Sequence, residues 1–450
     1  MGTQTSCCPR LHVTSLLLLG LLIVHASVAA AECPADQASA LLRLKRSFHH
    51  PFLPSWRART DCCRWEGVSC DAASGRVAAL DLGGHGLQSR GGFDGSLFHL
   101  VTLQRLSLAG NDFGGARLPA SGFERLIELT HLNLSDAGFA GQVPAGIGSL
   151  SRLVLLDLSS SAQPMTPLEF KEPSFRAVVA NLRNLTELRL DGVDMSAAAA
   201  AGAWCDVLSE SAPRLRVLTL QSCQLSGPIC ASLSRLRSLD VVDLSNNNQG
   251  FALSGPIPEF FADFRHLTVL QLSNNDFNGS LPRGIFQLER LRVLDVSSNS
   301  GLSGSLPEFP AGSSLEVLNL KETNLSGPIP SSIGNLRHLK TLDISDSTSR
   351  CFSGGFPASI GHLAVLSFLD LSSSGLKIGE LPAAFGRLQS LSTLRLSDCG
   401  ISGAIPPSFV NLTRLTDLDL SLNNISGPIT LYSEGAFLNL KNLQLCCNSL

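Results

Sequence analysis

Three features of the sequence have residue types that could take part in chemistry. Gly84-x-Gly86 begins like a dinucleotide-binding loop, but Ser89 stands where the third glycine belongs. His131 is isolated, which favours a surface contact over a general base. The sequence holds no phosphate-binding loop, no H-E-x-x-H or G-x-S-x-G motif and no kinase signature. We therefore predict no catalytic residue, no cofactor, and a chain that is not an enzyme.

The third feature is a group of four cysteines, Cys33, Cys62, Cys63 and Cys70. A zinc site would use such thiols, but the C-x-x-C spacing typical of zinc ligands is lacking. The group also follows an apparent signal peptide, and disulfides persist in the oxidising secretory pathway. We predict disulfides and no metal site, although the spacing alone leaves three pairings open.

The N-terminus indicates the secretory pathway. Arg10 precedes an apolar run from Leu16 to Val24, and the alanines at 29–31 are small residues that a signal peptidase accepts. The run is shorter than the ~20 residues of a membrane-spanning helix. This favours a signal peptide over residues 1–31 rather than a membrane anchor. No second apolar stretch of that length follows, so we expect a membrane contact only through a C-terminal segment absent from this sequence.

The composition favours a folded chain with an aliphatic core. Hydrophobic residues make up 44% of the 450 residues, while aromatic residues make up only 6%. The net charge is −3, which argues against a nucleic-acid partner because such a partner needs a basic face.

Self-similar segments fill most of the chain. They follow the pattern L-x-x-L-x-L-x-x-N-x-x-x-G-x-I/L-P, mostly at spacings of 24 to 28 residues. The 15 repeats begin at Val77, Leu103, Leu129, Leu153, Leu185, Leu215, Leu239, Leu267, Leu291, Leu315, Leu339, Leu366, Leu391, Leu415 and Leu440. L-x-L alternation predicts a strand with one buried face, and stacked repeats bury a continuous row of leucines.

The Asn position of the repeat ends the strand and predicts a ladder of buried polar side chains that bond neighbouring backbones. It is occupied by Asn111, Ala137, Ser161, Val193, Cys223, Asn247, Asn275, Asn299, Thr323, Ser347, Ser374, Cys399, Asn423 and Asn448. The ladder should be weaker at Ala137 and Val193. We interpret Cys223 and Cys399 as buried ladder residues rather than reactive thiols.

Residues 32–76 precede the repeats and are expected to cover the exposed end of the core. Asp36 is predicted to cap a helix that carries Leu41, Leu42, Leu44 and Phe48. Ser55-Trp56 and the run Cys-Cys-x-Trp-x-Gly-Val-x-Cys over residues 62–70 follow.

These motifs resemble those of a known family. The cap is similar to the plant leucine-rich-repeat N-terminal cap, and Gly-x-Ile-Pro at 255–258, 327–330 and 403–406 resembles the plant-specific repeat class. The resemblance covers residues 33–450. It implies an α/β leucine-rich-repeat solenoid, a curved superhelix with a parallel inner sheet, in which residues 77–450 form about 15 repeats, the last incomplete and without a C-terminal cap. It also implies the disulfides Cys33–Cys62 and Cys63–Cys70.

The repeat register suggests a third disulfide. A proline often lies nine residues before a repeat start, as Pro258 does before Leu267, and Cys230 takes that place before Leu239. Cys205 lies ten residues before Leu215, the start of the preceding repeat. Stacked strands are ~5 Å apart, within the Cα range of a disulfide, so we predict Cys205–Cys230. Cys351, Cys446 and Cys447 have no assigned partner.

Six N-x-S/T sequons fit passage through the secretory pathway. They begin at Asn133, Asn184, Asn278, Asn324, Asn411 and Asn424. Asn133 is predicted on a strand of the inner face, where a glycan would shield that stretch. Asn184, Asn278 and Asn411 are predicted off the strands, which makes them the stronger candidates.

The third, fifth and seventh positions of each repeat should face solvent on the inner side of the sheet. The fifth is often Asp and the seventh often Ser, which we interpret as a solvated stripe rather than a cation site. Departures from the stripe are the ligand-contact candidates: Glu187, Arg189, Asp191, Lys321, Phe368 and Arg395.

The two longest repeats begin at Leu153 and Leu185. Their extra length includes three prolines within 160–176 and an alanine-rich stretch at 196–203. It is expected to loop off the coil, either as a tolerated insertion or as a functional loop.

The resemblance implies the ectodomain of a plant receptor-like protein or receptor kinase at the cell surface or in the apoplast, in defence or developmental signalling. It would bind a protein, peptide or glycan on its inner or lateral face, with a co-receptor kinase as a possible partner. The sequence ends at Leu450 within a repeat, which suggests a fragment or a truncated product. The alternatives are a secreted inhibitor resembling polygalacturonase-inhibiting proteins and a non-functional truncated product.

Overall fold

A computed structural model describes residues 31–49, 51–89, 91–92, 94–161, 166–172, 174–199, 203–248, 250, 252–346, 351–427 and 439–450. Residues 1–30 of the predicted signal peptide and the ladder position Ser347 lie outside the described residues. No helix among the described residues is both long enough and apolar enough to cross a membrane.

A sheet of sixteen strands runs along the molecule. Its first strand, Val68–Cys70, is antiparallel to the next, and each later strand pairs in parallel with the one before. The parallel strands are Val77–Asp81, Arg105–Ser107, His131–Asn133, Leu155–Asp157, Glu187–Arg189, Val217–Thr219, Val241–Asp243, Val269–Gln271, Val293–Asp295, Val317–Asn319, Thr341–Asp343, Phe368–Asp370, Thr393–Arg395, Asp417–Asp419 and Asn442–Gln444. One strand follows from each predicted repeat start, which confirms the predicted solenoid with its parallel inner sheet.

Smaller sheets, which the sequence analysis did not predict, form where the chain leaves the turn after each inner strand. Four strands make the largest of them: Ser254–Pro256, Asp276–Ser280, Asn299–Ser305 and Thr323–Ser326. Three more strands, Gly379–Glu380, Ile401–Gly403 and Asn424–Ile425, form a second sheet, and Gly141–Gln142 pairs with Leu168–Glu169. These segments lack hydrophobic alternation, so their pairing depends on the stacking of coils rather than on a local pattern.

The return segments of most coils form short 3₁₀ helices. They are Gly95–His99, Phe123–Arg125, Ala145–Ser149, Ala231–Arg235, Glu259–Asp263, Arg283–Gln287, Ser331–Asn335, Ala358–His362, Ala383–Arg387 and Pro407–Asn411. A proline precedes several of them, as Pro258 does, because its fixed φ suits a helix start.

The two longest repeats differ from the predicted loops. Their return segments contain α-helices: α2 at Phe175–Val179, α3 at Ser196–Ala199 and α4 at Ala203–Ser211. An α-helix rises ~1.5 Å per residue and a 3₁₀ helix ~2.0 Å, so more residues fit into the same span of a coil. Within the described residues, part of the extra length is therefore packed into the coil as helix.

The Asn ladder is present where Asn occupies the position. Asn247 Nδ2 donates to Leu220 O at 2.9 Å and to Leu244 O at 3.0 Å, and its Oδ1 accepts from Cys223 N at 2.8 Å. The side chains of Thr323 and Ser374 each bond only a carbonyl three residues earlier in their own coil.

One ladder assignment was wrong. Ser161 is exposed, and its N–H and hydroxyl both donate to Asp136 Oδ1 instead of bonding neighbouring carbonyls. It lies in the first irregular repeat, where the chain leaves the regular register.

The N-terminal cap is built on the helix α1, Ala35–Ser47. Pro34, rather than the predicted Asp36, precedes the helix, and Asp36 lies inside its first turn. The reason is that the fixed φ of Pro34 already starts the helix, while a carboxylate in the first turn still favours the helix dipole. Leu41 and Leu44 are buried as predicted.

The cap has aromatic packing of its own and also contacts the first coil closely. The indole rings of Trp56 and Trp65 stack with centroids 5.4 Å apart. Gly67 has φ +68°, and a Cβ there would lie 2.0 Å from the carbonyl oxygen of Asp81, so the close approach requires glycine. The strand Val68–Cys70 pairs with Val77–Asp81, so the first repeat is not at the edge of the sheet and a short strand of the cap takes that place.

Candidate ligand-binding face

The inner face consists of the third, fifth and seventh residues of each repeat, on the solvent side of the sixteen-stranded sheet. Along it an Asp–Ser motif recurs, in which Ser245 donates from its N–H at 3.0 Å and its hydroxyl at 2.5 Å to Asp243 Oδ1. The same pair of bonds joins Ser297 to Asp295. Because the carboxylates bond within their own coil, the stripe needs no bound cation to explain it.

The carboxylates of this stripe are only partly solvated. Burial raises the pKa of Asp243, and the bonds from Ser245 oppose that shift. Burial likewise raises the pKa of Asp343. Asp243 and Asp343 therefore lose their negative charge at a higher pH than isolated aspartates would.

A row of valines on the same face was missed by the sequence analysis. Val217, Val241, Val269, Val293 and Val317 occupy the third position of five successive repeats, pair directly with one another and are partly exposed. The signal was the Val that recurs two residues after the start of each of these five repeats. An apolar row thus runs beside the acidic stripe.

Two of the predicted contact residues lie together. The Arg395 guanidinium carbon is 5.9 Å from the centroid of the Phe368 ring. Arg395 Nε also lies 3.2 Å from Asp417 Oδ1, and Nη1 lies 3.9 Å from Asp370 Oδ2. Phe368 and Arg395 therefore form a cation–π pair held by flanking carboxylates.

The other predicted contact residues lie apart from that pair. Arg189 Nη2 is 3.5 Å from Glu187 Oε2, so these two form an ion pair on one strand. Asp191 instead bonds the next coil, accepting from Thr219 Oγ1 at 2.9 Å and from Gln221 N at 2.8 Å. Burial raises the pKa of Asp191. Asp191 is thus engaged within the protein.

Lys321 and His131 also lie on the inner face. Lys321 Nζ is 3.6 Å from Glu322 Oε1, and its side chain remains about half exposed. His131 has its pKa lowered by burial and by Arg105, which favours the neutral ring.

Six of the cysteines are joined in three disulfides. Cys33 is bonded to Cys62 and Cys63 to Cys70, each with Cα atoms 5.5 Å apart. The sulfurs of Cys33, Cys62 and Cys63 lie close enough together to suggest a metal site, but disulfide bonding leaves none of them as a thiolate ligand. On the adjacent coils Cys205 is bonded to Cys230, with Cα atoms 6.1 Å apart.

Cys223 and Cys399 are buried thiols of the ladder. Their Sγ atoms donate to Leu190 O at 3.0 Å and to Leu371 O at 3.1 Å, in the preceding coils. Burial raises the pKa of Cys399 to about 12, so this sulfur stays protonated and is a poor nucleophile near pH 7. Burial raises the pKa of Cys223 as well.

The sequons occupy different surfaces. Asn133 is partly buried on the inner face, where its Oδ1 accepts from Ser135. Asn184 and Asn411 are exposed outside the strands. Asn278 lies within the strand Asp276–Ser280, contrary to the prediction, because that unpredicted sheet includes it, but it is exposed. The remaining two, Asn324 and Asn424, are exposed on strands of the smaller sheets.

Comparisons with known families agree with this architecture. The family model described as "Leucine rich repeat N-terminal domain" matches residues 34–71. The model described as "Leucine Rich Repeat" matches 266–288, 314–336 and 390–412, and a related repeat model matches 411–429.

Similar curated proteins are receptor-like proteins of plants. The chain is 34% identical to Receptor-like protein 6 of Arabidopsis thaliana over 244 residues, 49% of this chain and 24% of that protein. It is 32% identical to Receptor-like protein 9DC1 of Solanum pimpinellifolium over 261 residues, 54% of this chain and 29% of that protein. The matched segment thus spans about a quarter of the length of these relatives.

Solved structures with the same fold include ectodomains of receptor kinases. One is Arabidopsis HAESA in complex with the peptide hormone IDA and the co-receptor SERK1, at 27% identity and TM-score 0.55, covering 92% of this chain and 86% of that chain. Another is GASSHO1/SCHENGEN3 of Arabidopsis thaliana, at 25% identity and TM-score 0.56, covering 92% and 62%. The chain is therefore a leucine-rich-repeat solenoid with an N-terminal cap, homologous over about half its length to the receptor-like proteins of plants.

Proposed function

We propose that this chain is the ligand-binding extracellular part of a plant cell-surface receptor-like protein, and that its inner face binds an extended peptide or protein segment. The observation that carries the proposal is the row of five partly exposed valines beside the aspartate stripe. An apolar row beside carboxylates suits a segment that offers both apolar and basic side chains.

The dimensions fit such a segment. Neighbouring strands are ~4.8 Å apart, so the valine row spans ~19 Å. An extended chain rises ~3.3 Å per residue, so about six residues would lie along the row. Beyond the row, the Phe368–Arg395 pair offers a ring and a cation, which could fix one end of the segment.

Similar ectodomains support the choice of ligand and partner. The HAESA structure holds a peptide hormone together with a co-receptor. For this chain, we extend the proposal to a co-receptor kinase that completes the signal. The homology to receptor-like proteins supports a place on the outer side of the plasma membrane, reached through the secretory pathway.

The test uses the secreted chain and a display library of random peptides of about 12 residues, long enough to cross the row. We expect enriched peptides to combine basic and apolar residues. Val269→Arg should abolish their binding, because it puts a cation into the apolar row. Ser238→Arg, an exposed site outside the inner face, is the matched control and should bind as the parent does. Peptides that bind both variants equally would show that the inner face is not the site.

A further inference from the structure

The chain between each return segment and the next inner strand forms a lateral edge of the solenoid. We define this edge by three residues of each coil, the two before the repeat start and the one directly after it. In the coil that begins at Leu267 these are Arg265, His266 and Thr268, which lie between the 3₁₀ helix Glu259–Asp263 and the inner strand. The edge therefore borders the inner face without being part of it.

Positive charge is concentrated on this edge in the middle of the chain. Over the seven coils that begin at Leu185 to Leu339, the edge carries nine Lys or Arg residues and three Asp or Glu residues. The three coils before these and the three after them together carry two Arg and one Glu. Because the whole chain has a net charge of −3, the basic edge is a local feature and not a result of the overall composition.

The cations directly after a repeat start are balanced by carboxylates. Arg216 Nε donates to Asp240 Oδ2 at 2.8 Å, and Lys340 Nζ donates to Glu316 Oε2 at 2.7 Å. Glu316 also forms an ion pair with Arg292. These charges are therefore paired within the edge itself.

The arginines before the repeat starts are not balanced in this way. Four of them, on four successive coils, are exposed and form no ion pair with any described residue: Arg214, Arg237, Arg265 and Arg290. Arg214 Nη1 donates instead to the amide oxygen of Asn184 at 3.2 Å, and Arg290 Nη1 lies 3.3 Å from His266 Nδ1. We call these four residues the arginine row. Like charges on neighbouring strands repel, so the row has a cost that no described ion pair offsets.

The surface around the arginine row is polar. Over the same seven coils the edge contains no Val, Leu, Ile, Met, Phe, Tyr or Trp, whereas the coils on either side expose Val101, Ile127 and Val365 on it. A stable protein interface needs an apolar core, and single-stranded nucleic acids are bound largely by stacking on aromatic rings. A hydrophilic polymer with negative charges needs neither.

The spacing of the arginine row indicates the charge density of such a polymer. Neighbouring strands are ~4.8 Å apart, so the row offers about one guanidinium group for each such step. A linear polyuronate carries one carboxylate on each sugar ring, which is a comparable length of chain, so the charges can be balanced one for one. Guanidinium groups also bind carboxylates through two parallel hydrogen bonds, and the sugar hydroxyls suit the polar side chains between the arginines.

We propose that the arginine row binds a linear acidic polysaccharide with one carboxylate per sugar, along the lateral edge and across successive coils. The site is separate from the inner face and independent of the peptide ligand proposed above. The inner face stays open, so the chain binds a peptide and the polysaccharide at the same time.

The first test titrates the full secreted chain by calorimetry with an oligogalacturonate that is longer than the row. We expect binding at low salt that is lost at ~1 M salt, where the Debye length is about 3 Å. The same oligomer with all its carboxyl groups methyl-esterified should not bind, because it keeps the sugars and loses the charges. Equal binding of the ester, or no binding of the acid, would overturn the proposal. Tighter binding of poly-L-glutamate of equal charge would also overturn it, in favour of an acidic protein segment.

Variants show whether the row or the net charge is responsible. Arg237→Gln combined with Arg265→Gln should weaken binding of the oligogalacturonate about fivefold, because two exposed charge pairs are lost. Arg387→Gln combined with Arg414→Gln removes the same charge from exposed sites outside the row and should leave binding unchanged. Ser238→Arg adds a cation beside Arg237 and should tighten binding about twofold. Equal losses in the two double variants would show that the row is not the site.

Discussion

The side-chain oxygen of Gln37 accepts a hydrogen bond from the backbone N–H of Val77 at 2.8 Å, across 40 residues of sequence. Gln37 lies on the buried side of α1, and Val77 begins the first parallel strand. The amide nitrogen of the same side chain lies 3.4 Å from Thr102 Oγ1. One buried side chain thus joins the cap to both the beginning and the end of the first coil.

Replacing Gln37 should weaken this junction. Gln37→Leu keeps the approximate volume but leaves the N–H of Val77 buried without an acceptor, which should lower the free energy of unfolding by about 1–3 kcal/mol. Urea denaturation of the secreted protein measures the loss. Gln104→Leu, at an exposed position, should change stability by much less. Equal effects of the two substitutions would contradict the proposed role of Gln37.

The Asn ladder offers a matched pair of positions. The Oδ1 atom of Asn247 accepts from the N–H groups of both Cys223 and Leu225, whereas the Oδ1 atom of Asn275 is buried without a partner. The preceding coil explains this difference. Its Leu253 N–H donates to the backbone oxygen of Asn247, within the same coil. Because the repeat that begins at Leu239 is longer than average, this N–H group does not donate to Asn275 Oδ1.

Asn247→Ala should therefore cost more than Asn275→Ala. Both variants lose the bonds donated by the amide, but only the first also leaves two buried N–H groups without an acceptor. We expect the difference in unfolding free energy to be about 1–3 kcal/mol. Parallel urea titrations of the two variants measure it. A greater loss for Asn275→Ala would show that the ladder bonds do not determine stability here.

The sequence was sufficient to predict the strands of the inner sheet, because L-x-x-L-x-L fixes both the buried residues and the register. It was insufficient to show that Asp36 lies inside the first turn of α1 rather than before it. Both Asp and Pro favour helix starts, and only the three-dimensional path of the chain shows which residue precedes the first turn. The smaller sheets escaped prediction because their pairing arises only when coils stack.

The Cys205–Cys230 bond crosses adjacent coils and closes a segment of 25 residues. Peptide mapping without reduction should recover the two cysteines in one linked fragment. Replacing both by Ala should lower stability by about 3–4 kcal/mol in the chain-entropy model. Cys223→Ala, which removes a buried thiol from the same coil, should cost less. Alkylation of both cysteines before reduction would exclude the bond.

The stability of the protein should depend on pH through Asp243. Because burial raises the folded-state pKa of Asp243 above its ordinary value of 3.8, its contribution to stability is present below that value and is lost as the pH rises through the folded-state pKa. Asp243→Asn does not titrate, so it should gain stability relative to the parent over that rise. Thermal melting of both proteins from about pH 3 to pH 7 measures the difference.

Asp94 provides the control of opposite sign. Hydrogen bonds from Ser96 lower the pKa of Asp94 below 3.8, so its contribution is present above that value and lost as the pH falls through the folded-state pKa. Asp94→Asn should thus lose stability relative to the parent as the pH rises. The same direction for both variants would contradict this assignment of the two shifts.

The register of the parallel sheet has a consequence for how the length of such a solenoid can change. The third, fourth and fifth residues of each repeat pair with the same three positions of the next, as Val269–Gln271 pair with Val293–Asp295 and these with Val317–Asn319. The backbone groups that each strand presents to the next coil are therefore nearly the same as those that the preceding coil presents to it. In-frame loss or duplication of a coding segment for one coil, such as residues 291–314, would rejoin compatible edges. The number of rows on the inner face can then change by whole units under selection while the architecture is inherited intact.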